Sequence, residues 1–189
     1  VFWAMLKWDV LNEEAEANRW LILIAYIIGL SIGVHLLNIV ALPALGLIYY
    51  FKKYPKITFK GIVYALLISS GILILIWQFI ILGLPGLVGK FEIFFVNSIG
   101  LPFGYGALIF GILLIGAFGY GIYWSAKNNK ITLNTFLLAF SFIIIGYSSY
   151  FVVLIRSQYN PPIDQNDPEN VMNLLAYLNR DQYGSRPLL

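Results

Sequence analysis

The chain has 189 residues and a mass of 21.4 kDa; 60% of it is hydrophobic, 17% aromatic and 11% charged, with a mean hydropathy of +0.80 and a net charge of +3. Soluble domains are about 45–50% apolar and about 25% charged, so this composition excludes a soluble globular domain, a disordered tail and a fibrous repeat, and points to a polytopic membrane protein. Cysteine is absent and His35 is the one histidine, which excludes a disulfide framework, a thiol nucleophile, a cysteine metal site and a histidine-built zinc cage.

The chain opens inside an apolar run, Val1 to Leu6, with no initiator Met and no basic segment ahead of it. It closes just past Tyr183-Gly-Ser-Arg-Pro187. The expectation is an internal piece of a larger membrane protein, with no signal peptide in view.

Four stretches carry no charge: Trp20–Phe51, Gly61–Gly89, Ile93–Ala126 and Ile131–Ile155. Each exceeds the ~20 residues a helix needs to cross ~30 Å of hydrocarbon. Trp20–Phe51 would make a single helix of ~48 Å, or two helices of ~22 Å each. Its middle holds Ser31, Gly33, His35 and Asn38. A hairpin of two short helices turning near Gly33 is the favoured reading, and one long helix kinked by Pro43 is the rival. Gly61–Leu82 reads as a span that ends at the Gly83-Leu-Pro-Gly86 break. Residues 87–103 crowd Phe91, Phe94 and Phe95 on one side, with Lys90, Glu92, Asn97 and Ser98 supplying polarity. They read as a short interfacial helix that Gly100-Leu-Pro-Phe-Gly104 terminates. Tyr105–Trp124 is the next span, closed by an aromatic belt of Tyr120, Tyr123 and Trp124. Ile131–Ile155 is a simple span. Beyond it, Asn160-Pro-Pro-Ile-Asp-Gln-Asn-Asp-Pro-Glu169 has loop chemistry. Asp167 is placed to cap a helix with Pro168 at its first position, and Val171, Leu174, Leu175 and Leu178 recur at helical spacing up to about Asn179.

The fold class is therefore all-α: a polytopic transmembrane bundle with about five membrane helices plus interfacial ones. Residues 1–155 form the transmembrane region and 156–189 an extracytoplasmic loop with a short amphipathic helix. Lysines orient it. Lys52, Lys53, Lys56 and Lys60 fall in one loop and Lys127 and Lys130 in another, and the positive-inside rule puts both on the cytoplasmic side. That leaves residues 83–103, the turn near His35 and residues 156–189 outside. The basic net charge thus reads as membrane orientation and not as nucleic-acid affinity.

Several polar residues are candidates for chemistry, each with a structural alternative. His35 and Asn38, costly at membrane depth, would contact a phosphate or substrate at the outer mouth of a cavity; the alternative is a helix–helix hydrogen bond. Gly29-Leu-Ser-Ile-Gly33 fits small-residue helix packing. Glu92 is either a cavity-facing carboxylate near Asn97 or an anchor, with Lys90, of the interfacial helix. Asp164, Asp167 and Glu169 suit a divalent cation or a general base, or are simply a solvated turn. Arg156, Arg180 and Arg186 suit a phosphate or anchor at lipid headgroups. No P-loop, zincin or nucleophile-elbow motif is present, and no metal ligand set is assigned.

Five segments carry a family resemblance. They are Val1-Phe-Trp-Ala-Met-Leu-Lys-Trp8; Arg19-Trp-Leu-Ile-Leu-Ile-Ala-Tyr-Ile-Ile-Gly-Leu-Ser-Ile-Gly-Val-His-Leu-Leu-Asn38, running on to Leu42-Pro43 and Tyr49-Tyr-Phe-Lys52; Phe91-Glu-Ile-Phe-Phe-Val-Asn-Ser-Ile-Gly-Leu-Pro-Phe103; Asn160-Pro-Pro-Ile-Asp-Gln-Asn-Asp-Pro168; and Tyr177-Leu-Asn-Arg-Asp-Gln-Tyr-Gly184. In this order they resemble a bacterial membrane family long labelled a domain of unknown function, related to the vertebrate transmembrane protein O-mannosyltransferase. The resemblance implies a GT-C type glycosyltransferase of the bacterial inner membrane. Such an enzyme moves a sugar, typically mannose, from a polyprenyl-phosphate donor to Ser or Thr of exported proteins on the outer face. It implies that the catalytic carboxylate precedes Val1, so that the full-length parent is an enzyme and this piece alone is inactive. It further implies donor-phosphate contacts at His35 and Asn38, and an acceptor or headgroup site shaped by Arg156, Asp164, Asp167 and Arg180. A divalent cation is the alternative to basic side chains for neutralising the departing phosphate. The rival from another class is a non-catalytic transport or assembly protein. Polar residues lining a through-path would favour it; their gathering at the outer face favours surface chemistry.

Overall fold

The computed structural model describes residues 1–11, 14–164, 167–179, 181 and 184. Every regular element is a helix, with no strand among the described residues. Among the described residues, five helical segments are long and apolar enough to cross a membrane: Glu16–Val34, Leu36–Lys53, Phe59–Ile99, Tyr105–Lys127 and Ile131–Ser157. The all-α, polytopic membrane architecture follows from them. The chain divides into two compact units, Val1–Leu75 with Phe118–Ser149, and Ile76–Ala117 with Tyr150–Leu189.

In the first unit, α1 (Phe2–Asp9) precedes α2 (Glu14–Val34), a 3₁₀ stretch at Leu36–Ala41, α3 (Leu42–Lys53) and α4 (Phe59–Leu75). The stretch Trp20–Phe51 is a hairpin. His35 is extended, with φ −155° and ψ 115°, and interrupts the helix. The chain then returns, and α1 touches both arms: Trp3 meets Trp20 in the second turn of α2, and Trp8 stacks on Tyr49 near the end of α3. The turn comes at His35, two residues later than Gly33. The first arm is not short, because α2 begins back at Glu14 and spans 21 residues, roughly 31 Å. Pro43 kinks nothing; it sits in the first turn of α3, where its missing N–H has no intrahelical partner to lose.

Lys52 does not stand free at a membrane surface. Its ammonium donates to the carbonyl oxygens of Trp8 and, at 2.8 Å, Leu11, and lies 4.2 Å from the Trp8 ring centroid. A cation there complements the negative end of α1.

Helices α2 and α7 (Ile131–Tyr147) pack closely along their lengths. A Cβ on Gly29 would collide with the carbonyl oxygen of Ile143 and lie 3.0 Å from the Gly146 Cα; one on Gly146 would lie 2.5 Å from the Tyr26 carbonyl oxygen. Gly29 is thus a packing glycine. Close backbone approach of this kind is how helices gain dispersion contact where no hydrophobic effect drives them together. The turn between α6 (Tyr105–Lys127) and α7 is tied by Asn134, whose side-chain amide donates to Ile122 O at 3.0 Å and to the buried Ser125 Oγ at 2.9 Å.

In the second unit the expected break at Gly83–Gly86 does not occur. The chain passes through a π-helical stretch, Ile76–Gly83, straight into α5 (Leu84–Phe94), with Pro85 in the first turn of α5. A π turn shifts the hydrogen-bond register, which accommodates both the donor that proline lacks and the bulk of its ring. Gly83 permits the turn: a Cβ there would lie 2.7 Å from the Gln78 carbonyl oxygen. A second π stretch, Phe95–Ile99, ends at Gly100, which is left-handed at φ +79°. Helix α7 likewise runs on, through a 3₁₀ turn at Ser148–Tyr150, into α8 (Phe151–Ser157), so that Ile131–Ser157 is one helical span. Helix α9 (Val171–Asn179) buries Leu174 and Leu178 and packs against α5. Its cap is Asn170, not Asp167. The Asn170 Oδ1 accepts from the backbone N–H groups of Met172 at 3.0 Å and Asn173 at 2.9 Å. Asp167 is left-handed at φ +46°, three residues too early to serve.

Candidate functional site

The α2–α3 turn in the first unit is built around the carbonyl oxygen of Ser31. It accepts from the His35 backbone N–H at 2.9 Å and from the Asn38 Nδ2 at 2.9 Å. The His35 Nδ1 accepts from the Leu37 backbone N–H at 3.3 Å. With Nδ1 used as an acceptor, a neutral imidazole carries its proton on Nε2. Both side chains are exposed, and no other described residue engages the His35 Nε2 or the Asn38 Oδ1. The turn therefore presents an N–H donor and an amide oxygen on a short, internally braced segment. A donor of this sort suits a phosphate oxygen.

In the second unit Glu92 is 1% exposed. One of its carboxylate oxygens accepts from the Gly104 backbone N–H and the other from the Ala107 N–H at 2.8 Å. These groups belong to the first turn of α6, where N–H donors lack intrahelical partners. The backbones touch at the same place: a Cβ on Gly106 would lie 2.5 Å from the Glu92 Cα. Glu92 joins α5 to α6, with its oxygens already accepting. Asn97 and Lys90 are exposed.

The loop acids converge on a residue that sequence reasoning did not single out. Ser157, at the end of α8, is 1% exposed. Its hydroxyl donates to Asp164 Oδ2 at 2.8 Å and lies 3.4 Å from Asp167 Oδ1. A hydroxyl has one proton to give, so Asp164 holds the strong bond and Asp167 the weak one. Asp167 is further held through its carbonyl oxygen, which accepts from the Asn173 Nδ2 at 2.8 Å. Asp164 is half-buried and Asp167 exposed. Arg156, in the last turn of α8, is exposed, while Arg180 lies outside the described residues. Among the described residues no three His, Asp or Glu side chains gather as a cation site. A lone serine gives no sequence signal, and only the placement of Asp164 and Asp167 beside the end of α8 brings Ser157 and the two carboxylates together. Chemically, the pair can accept protons or hydroxyl donors from a partner.

Residues 1–58 match the family described as the protein O-mannosyl-transferase TMEM260 N-terminal domain. The matched segment takes in α1, the whole α2–α3 hairpin and the His35–Asn38 turn. No curated protein and no solved structure matches the chain.

Proposed function

We propose that this chain is part of a membrane glycosyltransferase. It would carry a sugar, mannose by preference, from a polyprenyl-phosphate donor to Ser or Thr hydroxyls of exported proteins. The observation that carries this reading is the match of residues 1–58 to an O-mannosyl-transferase N-terminal domain. Five apolar helices suited to a bilayer support it, since a lipid-linked donor must be handled from within the membrane. The proposed architecture is GT-C-like, in a bacterial inner membrane with residues 156–189 on the periplasmic side.

In the transfer, the acceptor hydroxyl oxygen bonds to the sugar C1. The bond from C1 to the phosphate oxygen breaks, polyprenyl phosphate leaves with the electron pair, and the hydroxyl proton passes to a carboxylate. The base is assigned to no residue of this chain. The His35 Nε2–H and Asn38 are proposed to bind the donor phosphate. Asp164 and Asp167, with Arg156 and Arg180, are proposed to shape the acceptor or headgroup site. Charge on the departing phosphate is offset by such basic groups or by a divalent cation.

The test uses the full-length protein in detergent with polyprenyl-phosphate mannose and a Ser/Thr-rich peptide. A peptide gaining one hexose supports the enzyme. Loss of that gain in Asp164→Ala places the loop in the site, and an unaffected gain makes the loop structural. No gain with any sugar donor would sink the proposal in favour of a transport or assembly role.

A further inference from the structure

The α3–α4 pair encloses a groove of about 660 Å³, inside the ~300–1,000 Å³ range of small-molecule sites. Its lining is graded. At the loop end stand Lys56, Thr58 and Lys60; further along lie Tyr64, Ile68 and Ile72. Two hydrogen bonds brace the loop end. The Tyr50 hydroxyl accepts from the Thr58 backbone N–H at 3.1 Å, and the Thr58 Oγ1 accepts from the Gly61 N–H at 3.1 Å. The Tyr50 ring packs against Gly61 so closely that a Cβ there would lie 2.8 Å from its Cε2. Lys52 turns away to α1, whereas Lys56 and Lys60 are exposed and no carboxylate among the described residues pairs with either.

We infer that this groove binds an anionic phospholipid, with Lys56 and Lys60 holding its phosphate and one acyl chain lying along the wall from Tyr64 to Ile72. The wall runs ~12 Å along α4. Two ammonium groups at one end of an otherwise apolar trough complement an amphiphile with a single negative head. A free anion would find no use for the wall, and a zwitterionic lipid would bring its own cation against the lysines. Braced by Tyr50, Thr58 and Gly61, the loop holds the lysines near the trough before the lipid arrives, which lowers the ordering cost of binding. The site is independent of the proposed sugar transfer and needs none of the residues named for it.

The experiment is native mass spectrometry of the full-length protein in detergent, titrated separately with phosphatidylglycerol, phosphatidylcholine and polyprenyl phosphate. Phosphatidylglycerol is expected to be retained as one tightly held molecule, and phosphatidylcholine only weakly. The double variant Lys56→Gln/Lys60→Gln should weaken phosphatidylglycerol roughly 30-fold, from about 1 kcal/mol per basic residue near a membrane surface. Ile68→Trp, which fills the trough at an exposed position without changing charge, should weaken it as well. Inorganic phosphate at millimolar concentration should not displace the lipid. The inference is overturned if the two phospholipids bind equally, if either variant leaves binding unchanged, if phosphate displaces the lipid, or if polyprenyl phosphate alone is retained. The second variant covers the case in which loss of the lysines disturbs the loop.

Discussion

Tyr50 and Gly61 share one space: the phenol of Tyr50 stands where any side chain at position 61 would have to go, with its Cε2 2.8 Å from that point. This contact closes the α3–α4 hairpin. Tyr50 is 8% exposed and its hydroxyl is engaged by Thr58, so it has little room to yield. Gly61→Ala should therefore destabilise the protein by about 1–3 kcal/mol, the usual cost of overpacking. Tyr50→Phe, which loses only the hydrogen bond, should cost about 1 kcal/mol. Thermal unfolding in detergent measures both; a Gly61→Ala variant as stable as the parent would show that the ring can move.

Gly146 against α2 should be far less tolerant than Gly111. A Cβ at Gly146 meets backbone atoms of Tyr26 and Leu30 at 2.5 and 2.6 Å, whereas one at Gly111 meets nothing within 4 Å. Gly146→Ala must push two helices apart. Gly111→Ala should leave stability unchanged or raise it by up to about 1 kcal/mol through helix propensity. The same unfolding assay ranks the two, and equal melting temperatures would contradict the packing argument.

Glu92→Ala removes the acceptor for both Gly104 and Ala107 and leaves two N–H groups unpartnered at the start of α6. The expected cost is about 1 kcal/mol, that of losing a helix N-terminal cap. Hydrogen exchange should accelerate at those two amides and not at the other end of α6. Glu92→Gln retains one acceptor oxygen and should fall between the parent and the alanine variant. Unchanged exchange in Glu92→Ala would refute the capping role.

Asn170 and Asp167 separate capping from site chemistry. Asn170→Ala should loosen α9 by about 1 kcal/mol, visible as faster exchange at Met172 and Asn173. Asp167→Ala should leave α9 protected, because the Asn173 amide bonds the Asp167 carbonyl and not its carboxylate. Under the proposed function it would instead alter the acceptor KM.

His35→Ala should raise the KM for the lipid-linked donor while changing kcat less, since an interaction equal in ground and transition states acts on binding alone. An unchanged donor KM would leave the His35 imidazole a purely structural cap of its turn.

Sequence alone was enough for the membrane architecture, because hydropathy and charge act residue by residue along the chain: a stretch of ~20 apolar residues meets the bilayer's demand wherever its neighbours lie. Local chemistry was equally legible at Gly100, where the helix ends left-handed, and in the apolar spacing of α9. The resemblance in residues 1–58 was legible too, since it rests on the order of residues and on no contact. Tertiary structure decided the rest. The turn at His35 depends on α3 returning to α1 through Trp8, Tyr49 and Lys52. The continuation through Pro85 depends on a π turn that Gly83 alone makes room for. The meeting of Ser157 with Asp164, and of Glu92 with the start of α6, joins residues 7 to 15 positions apart. Such pairings are absent from any local pattern, because a buried polar group takes whichever partner the packed backbone brings within hydrogen-bond reach.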